Sequence, residues 1–116
     1  MKALKIATFN VNGIRARHGH LLDWLAREKP DIACLQELKA EVFPTQELAE
    51  AGYGSLHVGQ AAWNGVAILA RDAEPLEIRR GLPGMDDDGQ SRYLEAAAHG
   101  VVVACLYLPN GNPQPG

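Results

Sequence analysis

From Leu4 to Asn10, Leu4, Ile6 and Thr8 alternate with Lys5, Ala7 and Phe9, as the two faces of a strand do. The stretch reads as a strand. From His18 to Lys29 the period changes. Leu21, Leu22 and Leu25 fall on one helical face with Trp24 at its edge, and Asp23, Arg27 and Glu28 fall on the other. Pro30 stops this helix. Ile32 to Leu35 is a continuous apolar run, as in a strand covered on both faces. Strand, helix and strand in succession predict a parallel pair joined by a right-handed crossover. Pro44 opens a short helix that runs to Ala51, and Gly52 ends it. Strands then follow one another directly: "YGSLHVG", "GVAILAR", "PLEIRRG", "SRYLEAAA" and "VVVACLYL", the last two joined by a His99-Gly100 hairpin turn. In the third of these, Leu76 and Ile78 are expected on one face, Glu77 and Arg79 on the other. The pattern predicts an α/β fold with one mixed β-sheet and its helices on one face. The opposite face is too apolar to stay wet. It calls for a second copy of the chain, making a homodimer, or for a C-terminal half that the 116 residues lack.

Composition narrows the class. At 116 residues, 47% hydrophobic and 22% charged, the chain is one globular domain at most. No stretch approaches the ~20 apolar residues of a membrane span. Lys, Thr and Asn interrupt the N-terminal segment, so it does not read as a signal peptide. Cys34 and Cys105 each sit in an apolar run without a second ligand at zinc spacing. They read as buried reduced thiols of a cytoplasmic protein. A net charge of −3 argues mildly against a dedicated nucleic-acid binder, though a local arginine cluster can still grip phosphates.

The chemistry collects at strand ends. Ligands of parallel sheets bind beyond the carboxyl ends of the strands. Asn10 leaves the first strand there, and Gln36 and Glu37 leave the second. A carboxylate beside an amide oxygen suits Mg²⁺, a hard cation that prefers oxygen donors and keeps several waters. Arg15 and Arg17 add fixed positive charge. Tyr107 ends the last strand, where its phenol is placed to donate to a phosphate oxygen.

Five stretches, "FNVNGIRAR", "LQELK", "WNGVAILAR", "RRGLPG" and "LYLPNG", resemble in order and spacing the exonuclease III type of apurinic/apyrimidinic endonuclease. The resemblance covers essentially the whole chain. It implies half of a four-layer α/β sandwich, with residues 1–116 as the N-terminal half of the nuclease domain. It also implies hydrolysis of DNA phosphodiesters with Mg²⁺ or Mn²⁺, on double-stranded DNA with abasic sites or 3′ ends. By the same resemblance Glu37 is a metal ligand, and Asn10 joins the metal and phosphate site as a catalytic residue. Tyr107 is the active-site tyrosine. Arg15 and Arg92 contact phosphate, Trp63 lies against DNA, and Lys39 supports the carboxylate from its outer side.

The resemblance also marks departures. Leu38 stands where the family usually has threonine, which removes a hydroxyl beside Glu37. The later Gly-Asp-x-Asn and Ser-Asp-His motifs are absent, and none of His18, His20, His57 and His99 replaces the catalytic histidine. The 116 residues alone are therefore expected to have little activity. Two other functions fit the same residues: a phosphoesterase of this superfamily acting on phosphoinositides or sphingomyelin, and a non-catalytic nucleic-acid-binding or assembly module. Elsewhere the plain readings are preferred. "MDDDG" is a solvated loop, Arg79 and Arg80 lie on a wet strand face, His57 and His99 are strand and turn residues, and Trp24 belongs to the core.

Overall fold

The computed structural model describes residues 3–40, 42–58, 65–80 and 93–106. The elements run β1 (Ile6–Asn10), α1 (Ile14–Glu28), β2 (Ile32–Gln36), α2 (Thr45–Glu50), β3 (Tyr53–Val58), β4 (Val66–Arg71), β5 (Leu76–Arg80), β6 (Tyr93–Ala98) and β7 (Val101–Leu106). The mixed sheet is present, ordered β1-β2-β4-β3, with β1 and β2 parallel and the other pairs antiparallel. The strands expected to extend it do not. β5, β6 and β7 form a second, antiparallel sheet of their own.

The two faces of the first sheet explain the split. Ala33, Leu35, Ala67 and Leu69 pack with Leu21 and Leu25 of α1 and Leu48 of α2, so both helices lie on one face as expected. Cys34, Ile68 and Ala70 turn the other way and meet Leu94, Ala96 and Cys105 of the second sheet. The face expected to need a second copy is thus covered by the chain's own later strands. The order of layers is helix, sheet, sheet, and every inner position of β6 is buried. Periodicity alone does not separate one sheet from two, because strands buried on a facing sheet read like strands buried side by side.

α1 begins four residues earlier than the leucine stripe suggests. Ile14 is as buried as Leu21 and Leu25, and the intervening polar run with Gly19 hides that first turn from the pattern. Lys29 closes the helix in the left-handed region, its N–H donating to Leu25 O at 2.9 Å, and Pro30 follows. His99 and Gly100 both have positive φ, 52° and 81°, as a two-residue hairpin turn requires. In β5 the expected alternation fails. A register shift between Glu77 and Arg79 breaks the ladder, and all five residues are exposed, Leu76 and Ile78 included. Trp24 packs on Phe9 with ring centroids 4.8 Å apart, in keeping with its core reading. Both cysteines are free and buried. The hydrogen bond with Cys34, together with burial, pushes the Cys105 thiol up. Among the described residues no helix is long and apolar enough to cross a membrane.

Candidate active site at the ends of β1 and β2

Register places the two strand ends together. Asn10 pairs with Gln36, the last residue of each strand. Neighbours in register share a face, so Thr8, Asn10, Cys34 and Gln36 all turn toward the side of the second sheet. That sheet does not cover β1, and Thr8 and Asn10 are exposed. Gln36 ties the corner: its Nε2 donates to Thr8 Oγ1 at 2.7 Å. The same amide contacts Cys105 Sγ at 3.6 Å, and Cys105 itself donates to Leu35 O at 3.2 Å. The end of β7 therefore reaches the same corner.

Beyond the strands the pairing continues through the loops. Val11 N donates to Gln36 O, Gly13 N to Glu37 O and Ile14 N to Leu38 O, at 2.8 to 2.9 Å. The loop after β2 is thereby zipped to the loop before α1. Within it Glu37 and Lys39 both adopt left-handed backbone, φ 57° and 54°, with Leu38 between them. Leu38 is fully buried in the helix-side core with Val11, Ile14 and Ala40. The leucine draws the loop inward, and its two polar neighbours are left half-buried at the surface. Left-handed backbone at non-glycine residues costs about 1–2 kcal/mol each, and such strain gathers at functional sites. The core offsets it here. Gly65 completes the fit: with φ 94°, it accepts Leu38 N at 3.1 Å, and a Cβ on it would lie 2.8 Å from Leu38 Cβ. Position 38 thus faces apolar packing, and leucine suits it, whereas the sequence reading had counted it as lost support for Glu37.

Asn10 and Glu37 do meet. Asn10 Nδ2 donates to Glu37 Oε2 at 2.5 Å across 27 residues of sequence. Lys39 Nζ lies 3.7 Å from the other carboxylate oxygen and donates to Asn12 Oδ1 at 2.8 Å. One carboxylate, two amides and one ammonium converge on an open edge. The donor set fits a hard divalent cation: the Glu37 carboxylate and the Asn10 side-chain carbonyl are oxygen donors, and Mg²⁺ is commonly held by one or two protein groups plus substrate phosphate. Among the described residues no three His, Cys, Asp or Glu side chains gather around one point.

Arg15 lies exposed on the first turn of α1, without a hydrogen-bond or ionic partner among the described residues, and lines a cleft that Lys39 also borders. Trp63, Arg92 and Tyr107 lie outside the described residues. Sequence reasoning placed Gln36 at the strand end but gave it no task. It missed Thr8 and Gly65, for which the chain pattern offers only a strand residue and one glycine among 12.

The sequence matches the endonuclease/exonuclease/phosphatase family over residues 7–112. It is 40% identical to exodeoxyribonuclease III of Haemophilus influenzae, across 93% of this chain and 42% of that protein. To the DNA repair nuclease APEX1 of Danio rerio it is 31% identical, across 94% of this chain and 37% of that protein. The chain therefore spans about two fifths of the length of these curated relatives. In structure it resembles the Neisseria 3′ phosphatase NExo bound to a product DNA hairpin, with a TM-score of 0.87 and 40% identity, covering 94% of this chain and 43% of that one. An AP endonuclease from Archaeoglobus fulgidus gives 0.85 and 39%, covering 92% and 42%. With a family match over nearly all its residues, and a carboxylate and amide joined at neighbouring strand ends, the chain belongs to the endonuclease/exonuclease/phosphatase family.

Proposed function

We propose that residues 1–116 form the N-terminal half of a divalent-metal-dependent DNA-repair nuclease acting at abasic sites or 3′ ends of double-stranded DNA. The observation that carries this reading is the Asn10–Glu37 contact at the carboxyl ends of β1 and β2. A bound Mg²⁺ or Mn²⁺ would supply compensation for the charge that develops on the phosphate and leaving oxygen. Glu37 and Asn10 are the residues to hold it. Lys39, pinned by Asn12, lies against the outer carboxylate oxygen and orients it. Arg15 holds a flanking phosphate by charge-assisted hydrogen bonds, and Arg92 and Trp63 extend the DNA contact. Tyr107 follows directly on β7, whose end sits against Gln36, which supports its reading as a phosphate donor at this corner. We place the protein in the cytoplasm, in keeping with two free thiols.

Incision of an abasic duplex tests the reading. The longer protein is expected to cut with Mg²⁺ and stop in chelator, and to leave a phosphoinositide untouched. The 116 residues alone are expected to show little turnover, since they lack the Gly-Asp-x-Asn and Ser-Asp-His motifs. Robust cutting by the short chain would overturn the division of labour between halves, and phosphoinositide hydrolysis by the longer protein would overturn the substrate. Made alone, the chain is expected to self-associate. Its exposed Leu76, Val102 and Leu106 lie on the second sheet, and burying a large apolar side chain contributes about 1.5–3 kcal/mol. Sedimentation as a clean monomer would count against this.

A further inference from the structure

Next to the Glu37 corner, between the start of α1 and the segment leading into α2, lies a cleft of about 640 Å³. Its chemistry is divided. Arg15, His18 and Lys39 line one side. Arg15 and His18 stand one helical turn apart, neither with a partner among the described residues, and Lys39 is also the residue that touches Glu37. The rest of the wall is apolar: Ala40, Phe43 and Pro44, with Val42 projecting at the lip, 80% exposed. Phe43 is held in place by stacking on His57, with centroids 4.7 Å apart. Glu47 adds a single carboxylate beside this apolar part.

We propose that this cleft binds one nucleotide unit, phosphate against Arg15, His18 and Lys39, and base against Val42, Phe43 and Pro44. The inference rests on the nuclease reading and extends it from the metal corner to a neighbouring subsite. Three features select this ligand class. The volume is that of a small-molecule site, larger than a bare phosphate needs. The cationic side matches one anionic group in a pocket whose other wall gives an anion nothing. Glu47 repels a second negative charge but accepts hydrogen bonds from the exocyclic amines of adenine and cytosine. A dicarboxylate or a diphosphate meets that carboxylate unfavourably, and a purely apolar ligand leaves Arg15 unpaired. The exposed Val42 is then a contact surface. Because Lys39 belongs to both cleft and corner, a nucleotide seated here lies beside the reacting phosphate.

The test uses deoxynucleoside 5′-monophosphates and inorganic phosphate, titrated calorimetrically into the protein in chelator, so that no metal reports on the corner. The nucleotides are expected to bind at least about tenfold more tightly than phosphate, given the usual worth of base contacts. Arg15→Ala and Val42→Asp should each weaken nucleotide binding about tenfold. Val42 is so exposed that its replacement leaves the fold intact, which thermal unfolding checks. Glu47→Gln should narrow any preference for dAMP and dCMP over dTMP. A short single-stranded oligonucleotide separates the two sources of the ligand. If the unit belongs to a bound strand, Val42→Asp weakens the oligonucleotide as well; if it is a free nucleotide, only the monophosphates respond. Equal affinity for phosphate and nucleotides, or indifference to both Arg15→Ala and Val42→Asp, overturns the proposal. So does loss of nucleotide binding in Glu37→Gln, which would put the ligand on the carboxylate instead. Cleft binding that persists in a longer protein unable to cut an abasic duplex with Mg²⁺ would overturn the nuclease reading and spare this one.

Discussion

Glu37→Gln in the longer protein is expected to lower the rate of DNA cleavage about a thousandfold. A bound cation contributes several kcal/mol of charge stabilisation, and each 1.4 kcal/mol is a factor of about ten. The substitution is nearly isosteric. Gln keeps an oxygen to accept from Asn10 Nδ2 at the present 2.5 Å, so the corner should hold its shape. What leaves is the negative charge, and with it the group that both attracts the cation and faces Lys39 at 3.7 Å. A Mg²⁺ titration of the cleavage rate separates the two effects. The half-saturating Mg²⁺ concentration should rise along with the fall in maximal rate. A variant within about tenfold of the parent at all Mg²⁺ concentrations would show that the carboxylate is not a metal ligand.

Leu38→Ala is expected to cost about 2–5 kcal/mol of folding stability, the range for emptying a fully buried leucine site. The side chain has no solvent exposure and sits against Val11, Ile14 and Gly65, so the cavity cannot fill from outside. The effect should reach further than stability. Leu38 is the anchor that allows Glu37 and Lys39 to stay in left-handed backbone. Without it the loop should relax and the affinity for Mg²⁺ should fall. Urea unfolding gives the first quantity and calorimetric Mg²⁺ binding the second. Leu38→Thr, the residue the family resemblance leads one to expect there, should destabilise as well, since an unbonded buried hydroxyl costs about 1–3 kcal/mol. A stable Leu38→Thr protein would mean that the loop can turn its hydroxyl to a partner the native packing does not use.

Much of the fold is legible along the chain because strands of this kind announce themselves by composition. Ile32 to Leu35 and Val66 to Arg71 read as buried strands and are buried strands. The meeting of Asn10 and Glu37 is legible too, since a βαβ unit brings its strand ends side by side. Three features are not. The first turn of α1 is hidden because Ile14 stands a full seven residues from Leu21, across a run in which nothing else is buried. The partition into two sheets is hidden because it depends on which face each strand turns, and an apolar run such as "VVVACLYL" offers both. The role of Leu38 is hidden for a third reason. Against the usual threonine it looks like a lost hydrogen bond, and only the position of Gly65 reveals a packing site. The cleft beside Lys39 escaped notice with the helix start, since Arg15 and His18 become neighbours only when α1 begins at Ile14.

The pairing of β1 with β2 carries a lesson about which changes this corner tolerates. The amide and the carboxylate are not drawn together by their own attraction; the backbone ladder delivers them. A side-chain substitution at either place alters the chemistry and leaves the scaffold as it was. An insertion or deletion of one residue within β2 does the reverse. It inverts the parity of every position beyond it, sending groups destined for the open edge into the helix layer and the reverse. Length, more than residue identity, is therefore what this strand has least freedom to change.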